Sequence, residues 1–167
     1  RWFLPAHAPS RILRGQIRAR QRDFANALAD LDAAVAALPG SGDPLAQRGI
    51  IRGQAGDVLG ALADLTESLR LRPDDAETLV NRGIARQILE DHDAARADFE
   101  AAVRADPEFA RAHASLSLAR VNAGDLRGGL ESAETALALS GAGPQSASLR
   151  RLRDRLRIEL GLPEAGR

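Results

Sequence analysis

The chain has 167 residues and a formal charge of zero, with 23 basic residues against 23 acidic ones, so no net field recommends a nucleic acid or an anionic membrane as partner. It has no Cys and no apolar run of bilayer-spanning length, which excludes disulfides, thiolate metal sites and an obvious transmembrane helix. All basic residues are Arg, Ala, Gly and Leu are abundant, and Met and Tyr are absent, a pattern that points to a GC-rich, bacterial genome and fits cytoplasm and periplasm equally.

Taken from the start, the chain repeats itself. Arg14-Gly15, Arg48-Gly49 and Arg82-Gly83 follow one another at a step of 34 residues, and Pro5, Pro39, Pro73 and Pro107 keep the same step. Such a period marks an array whose units bury their apolar faces only by stacking. Residues 1–7 hold Trp2-Phe3-Leu4-Pro5 in the register of Ala36-Ala37-Leu38-Pro39. They read as the tail of an earlier unit, in a piece of a longer array or a trimmed chain from which a signal peptide could have gone. An N-terminal extension folded back on the first helix is the plainer alternative.

The first unit spans 8–41. A helix near Pro9 to Gln21 opens with a Pro, which the first helical turn tolerates, and Asp23 caps a second helix from Phe24 to Leu38. The second unit, 42–75, opens at Asp43-Pro44, turns at Gly56-Asp57 and stops at Arg72-Pro73; the third, 76–109, turns at Glu90-Asp91, and the fourth, 110–143, at Gly124-Asp125. An Asp thus recurs at each turn, where its side chain satisfies orphan amides. Residues 144–167 break the period. Gln145 to Leu160 reads as a capping helix with Leu149, Leu152, Leu156 and Leu160 on one stripe.

Small residues mark where paired helices approach. Gly15, Gly49, Gly83 and Ser117 sit within first helices, where Gly costs ~1 kcal/mol relative to Ala, a cost offset if a partner packs on the bare backbone. Ala27, Ala61, Ala95 and Gly129 oppose them, with Leu31, Leu65 and Phe99 as plugs. Short loops between these helices make antiparallel neighbours. The chemistry of the pairs follows from spacing: Arg14 to Asp30, Arg48 to Asp64 and Arg82 to Asp98 are each 16 residues apart and come level across a hairpin turn. In the fourth unit Leu116 and Ser132 take these places and both charges vanish together. These pairs are expected to be structural ion pairs, not a basic ladder for ligands. Arg18, Arg52, Arg86 and Arg120 are expected to cover apolar surface with their stems and hold their heads in water.

Leu79-x2-Arg82-Gly83-x2-Arg86, then Ala95-x3-Phe99 and Pro107, resembles the tetratricopeptide repeat, in register over about 8–143. The aromatic signatures are mostly Leu, Val or Arg here, and the fourth unit carries Ser117 and Gly141 where the family has Gly and Pro. The resemblance implies an all-α, right-handed superhelical solenoid of antiparallel helix pairs that acts as a protein-interaction scaffold. It also implies that first helices line a concave groove. The residues that would face it are Ile12 and Gln16; Ala46, Ile50 and Gln54; Val80, Ile84, Gln87 and Ile88; and Ala114, Leu118, Val121 and Asn122. This lining is apolar with a few amides and lacks the Lys, Arg and Asn cluster with which chaperone-binding members clamp a C-terminal carboxylate. It suits an amphipathic helix or an extended segment with bulky side chains, although Ile84, Ile88 and Leu118 could equally pack between neighbouring first helices.

Nothing points to catalysis. His7, His92 and His113 lack metal-ligand spacing, the paired carboxylates at 74–75, 91 and 93 sit at helix starts, and there is no phosphate loop or nucleophile elbow. The expectation is a non-enzyme that needs no cofactor or metal and binds a protein or peptide rather than a small molecule, with self-association through an open repeat edge as a possibility. A regulatory or recruiting arm of a larger enzyme is the alternative. Nucleic-acid or anionic-membrane contact through the last helix is the weaker one, because six Arg from 144 onward have no aromatic neighbour for base stacking.

Overall fold

The computed structural model describes residues 7–141 and 146–163, so the reading of Trp2-Phe3-Leu4-Pro5 lies outside the described residues. Among those residues the chain is helical throughout: α1 (Ala8–Arg20), α2 (Phe24–Ala37), α3 (Gly42–Ala55), α4 (Val58–Leu71), α5 (Ala76–Ile88), α6 (His92–Ala105), α7 (Ala110–Asn122), α8 (Leu126–Ser140) and α9 (Ser146–Glu159).

The four hairpin turns are built alike. Asp23, Asp57, Asp91 and Asp125 are N-caps whose carboxylates accept from the backbone N–H three residues on. Each of these Asp also donates its own N–H at 2.9 Å to a carbonyl five residues back, at Arg18, Arg52, Arg86 and Arg120, closing the preceding helix. The residue between the two helices takes a left-handed conformation, with φ of 63° at Arg22, 92° at Gly56, 63° at Glu90 and 84° at Gly124. Gly adopts it without penalty, whereas Arg22 and Glu90 pay for a Cβ there.

Within a hairpin the bare backbone of the first helix receives a plug from the second. A Cβ on Gly83 would lie 2.5 Å from Phe99 Cε1, and one on Gly49 would lie 2.8 Å from Leu65 Cγ. Phe99, Leu65 and Leu31 are fully buried, each contributing roughly 1.5–3 kcal/mol by leaving water. In the fourth hairpin Ser117 instead donates its hydroxyl to Gly129 O at 2.7 Å. Consecutive hairpins stack through α2 on α3, α4 on α5 and α6 on α7, and α9 closes the stack on α8 with Leu156 buried. First helices also touch one another, α1 with α3, α3 with α5 and α5 with α7, an approach that no pair of second helices matches. The stack therefore closes in on the side of its first helices.

Candidate functional site

Two constellations stand out, an internal one repeated in three hairpins and a single cleft on the first-helix side. The internal one centres on Asp30, Asp64 and Asp98, all buried. Asp64 accepts from Arg48 Nε at 2.8 Å and Nη2 at 2.7 Å, and from Arg52 Nη1 at 2.8 Å. Asp98 accepts from Arg82 Nε at 3.0 Å and Nη2 at 2.6 Å, and from Arg86 Nη1 at 2.8 Å. Asp30 is held at 2.8 and 2.5 Å by Arg14 and at 2.6 Å by Arg18. The bond from Arg14 keeps the Asp30 carboxyl below the usual carboxylate range against burial, which pushes the other way. Arg48 is raised above its ordinary value chiefly by its bond to Asp64, and it reaches Asp32 of the preceding hairpin at 2.8 Å.

The role expected for Arg18, Arg52 and Arg86 is corrected here. Their heads do not simply reach water: each supplies a second guanidinium to the same carboxylate. The signal was present, since each Arg stands four residues after its partner and 12 before the Asp, one helical turn along the same face. Arg120, which has no carboxylate to meet, donates to Ser132 Oγ at 3.0 Å and Gly128 O at 3.2 Å. Each carboxylate thus accepts three bonds from the two guanidiniums of its own hairpin and ties its two helices together.

The second constellation is a cleft of about 230 Å³ between α3 and α5. Ile50, Ile84 and Ile88 line its sides with Gln54 at one end, and Val58, Ala61 and Leu65 form its floor from α4. Gly49 and Gly53 open it, because neither brings a side chain to α3's face of the cleft. At Gly53 packing does not demand this: an added Cβ would find nothing nearer than Ala61 Cβ at 3.7 Å. Asn81 and Arg111 close the rim, Arg111 Nη2 donating to Asn81 Oδ1 at 2.9 Å across two hairpins. Arg111 is the one charged residue of this lining.

The other residues expected in the groove are placed differently. Ala46 and Val80 are buried and present no surface, Val80 in a core cluster that includes Leu69, Phe99 and Ala102 of the second helices. Gln16 donates its amide to Gln47 Oε1 at 2.7 Å, tying α1 to α3. Ile12 packs against the core of the first hairpin. Gln87 and Asn122 line a separate polar recess beside Glu90, Asp91, His92 and Arg96. Ala114 and Val121 are half-buried, and Leu118 is exposed like Ile88. Gln47, Asn81 and Arg111, which reading the sequence missed, complete the wall.

Among the described residues there is no cluster of three metal-ligating side chains, and no buried side-chain polar atom lacks a partner. The cleft pairs no nucleophile with a base. It can exclude water from an apolar group and hold a polar neighbour at its rim, and it is smaller than the roughly 300–1,000 Å³ of small-molecule pockets. In α9, Arg157 pairs with Glu134 of α8 at 2.6 Å, Arg153 with Asp154 at 2.7 Å and Arg155 with Glu159 at 3.5 Å. The basic helix thus neutralises much of its charge within the chain.

Comparison with known proteins gives a consistent picture. A family profile described as Tetratricopeptide repeat matches residues 47–107 and 81–147. Among solved structures, MamA from Desulfovibrio magneticus RS-1 is 24% identical with a TM-score of 0.77, covering 92% of this chain and 85% of that one. PilF of Pseudomonas aeruginosa is 18% identical with a TM-score of 0.84, covering 93% and 70%. The first such domain of Spaghetti, bound to an HSP90 peptide, is 19% identical with a TM-score of 0.66, covering 72% and 94%. These likenesses concern the fold, and no curated protein matches the chain.

Proposed function

The chain belongs to the tetratricopeptide repeat family, and from that premise we propose that it is a protein-interaction scaffold whose partner segment binds along the first helices, with the α3–α5 cleft as anchor point. The observation that carries this reading is the cleft itself, where Ile50, Ile84 and Ile88 come together on the first-helix side of the stack around a gap that no side chain fills. Ile50 and Ile84 would receive one bulky apolar side chain over the gap at Gly53, while Ile88 and Leu118 extend the strip towards the fourth hairpin. Arg111, steadied by Asn81, would take a carboxylate close to that anchor. A rigid wall suits this task because little side-chain ordering is left to pay on binding. The HSP90 peptide bound by the Spaghetti domain, which shares this fold, supports the reading. Units at 8–41, 42–75, 76–109 and 110–143 belong to the same proposal, each adding one first helix to the wall.

The mechanism is binding, with no bond made or broken. The test is selection from a random peptide library, followed by affinity measurement on variants. Selected peptides should share an apolar residue near an acidic one or the C-terminus. Ile50→Asp should weaken them by about a hundredfold, the loss expected when a charge replaces an apolar contact at an anchor, and Arg111→Ser by about tenfold. Binding indifferent to both variants would move the site off this wall.

A further inference from the structure

Among the glycines within helices, Gly53 stands apart. A Cβ on Gly15, Gly49 or Gly83 would come to 3.1 Å or less from the facing helix, so packing explains those three. A Cβ on Gly53 would meet nothing closer than Ala61 Cβ at 3.7 Å, an ordinary contact, and its φ lies outside the left-handed range. Its carbonyl accepts from the Gly56 N–H at 3.1 Å, a bond that any residue can make. Glycine within a helix is destabilising relative to Ala, and here neither a close approach nor a turn offsets that loss. The counterparts one repeat away are Ala19, Gln87 and Val121, and each brings a side chain. Ala19 is buried in the cluster of Ala27, Leu31 and Ile51. Val121 stands against the bare backbone of Gly129, where a Cβ would lie 2.5 Å from Val121 Cγ2. Gln87 lines the polar recess beside Asn122. In the second hairpin the same position is bare, and there the α3–α5 cleft opens over Ala61 and Leu65.

Resting on the reading of this cleft as the anchor point, we infer that Gly53 is its specificity-determining residue and that the anchor it admits is an aromatic side chain of the partner segment, Trp or Phe. A cavity of about 150 Å³ lined by Leu, Ile and Phe takes up a benzene ring. The cleft holds about 230 Å³, room for a ring with its methylene or for two fused rings. A Leu or Ile side chain would leave part of that space unfilled and forgo its contacts. The rim agrees with an aromatic guest. Arg111, bonded to Asn81 at 2.9 Å, sets a guanidinium at the mouth of the cleft, where a cation favours the face of a ring. A side chain at 53 would occupy the same volume, since Gly53 lines the cleft and the atom nearest its Cβ belongs to the floor residue Ala61. Glycine at 53 thus lowers helix stability and deepens the cleft.

The probes are peptides selected from a random library on the whole chain, each resynthesised with Trp, Phe, Leu or Ala at its anchor position and titrated by fluorescence anisotropy. The Trp or Phe form should bind at least about tenfold more tightly than the Ala form, since even one methylene in an apolar pocket is worth about that much. Gly53→Leu, which helix propensity favours over Gly, should erase most of this preference. It should weaken the aromatic peptide at least about tenfold and the Ala peptide by less than about twofold. Gly53→Ala should weaken the aromatic peptide by a smaller factor while Tm rises, opposite directions that a loss of folding could not produce. Aromatic peptides bound equally well by the Gly53→Leu variant overturn the inference, and so does a preference of the unaltered chain for Leu over Trp and Phe. If Ile50→Asp abolishes binding in either of those cases, the cleft remains the anchor point and only the role of Gly53 falls. If Ile50→Asp and Gly53→Leu are both without effect, the segment binds elsewhere and both readings fall.

Discussion

Replacing Asp98 with Ala removes the acceptor of three charge-assisted hydrogen bonds, two from Arg82 and one from Arg86. Both guanidiniums stay behind, on side chains only 17% and 24% exposed, and neither pairs with another carboxylate among the described residues. Breaking a buried pair from one side costs about 3–5 kcal/mol, and the strip of each Arg still in water places this case near the lower end, at about 3 kcal/mol. At roughly 2–4 °C per kcal/mol for a chain of this size, Tm should fall by about 6–12 °C. The fourth hairpin supplies the control. There Leu116 and Ser132 stand where the others have Arg and Asp, and Arg120 is satisfied by Ser132 Oγ and Gly128 O. Arg82→Leu combined with Asp98→Ser rebuilds that arrangement and should cost less, about 1–2 kcal/mol, because one guanidinium leaves with the carboxylate and Arg86 keeps a hydroxyl acceptor, as Arg120 does in Ser132. Asp64→Ala should fall between the two, since Arg48 keeps Asp32 at 2.8 Å. Urea unfolding followed by helical circular dichroism measures all three. A double variant as costly as Asp98→Ala would refute the reasoning, for the carboxylate would then contribute little beyond what its partners lose.

The glycines divide by what surrounds them. Gly83→Ala should destabilise by about 1–3 kcal/mol through collision with Phe99, while Gly53→Ala, with nothing nearer than 3.7 Å, should stabilise by up to about 1 kcal/mol through helix propensity; thermal unfolding of the two variants reads the opposite signs. For pH, Arg14 holds Asp30 below its ordinary value, so the folded pKa lies under the unfolded one of about 3.9. The stabilisation is complete at neutral pH, starts to decline as pH falls towards about 4 and is lost below the folded pKa. Asp30→Asn should flatten that acid limb of a stability-against-pH curve and leave its neutral slope unchanged.

Much of this architecture was legible in the sequence because one period carried several independent signals. The Asp at 23, 57, 91 and 125, the Arg-Gly pairs and the prolines all kept the same step, so helix, turn and pairing could be placed together. The turns at Gly56-Asp57 and Gly124-Asp125 were legible too, whereas the left-handed conformation of Arg22 and Glu90 in the sister turns carries no mark in the residue type. What escaped the sequence depends on the rotation from one hairpin to the next. That rotation brings Arg111 to Asn81 and joins Gln16 to Gln47, and no spacing within a unit encodes it. The second guanidinium on each carboxylate is an intermediate case. Its position follows from helical geometry, but whether the head turns inward depends on how closely the paired helices cross.

The isoleucine and leucine methyl groups of the chain, observed by NMR while a library-selected peptide is added, locate the bound segment on the stack. Perturbations should gather on Ile50, Ile84 and Ile88, with Leu118 at their margin, while Leu59 and Leu139, exposed on second helices, stay where they are. Shifts confined to Leu59 and Leu139, with the cleft isoleucines unmoved, would contradict binding along the first helices.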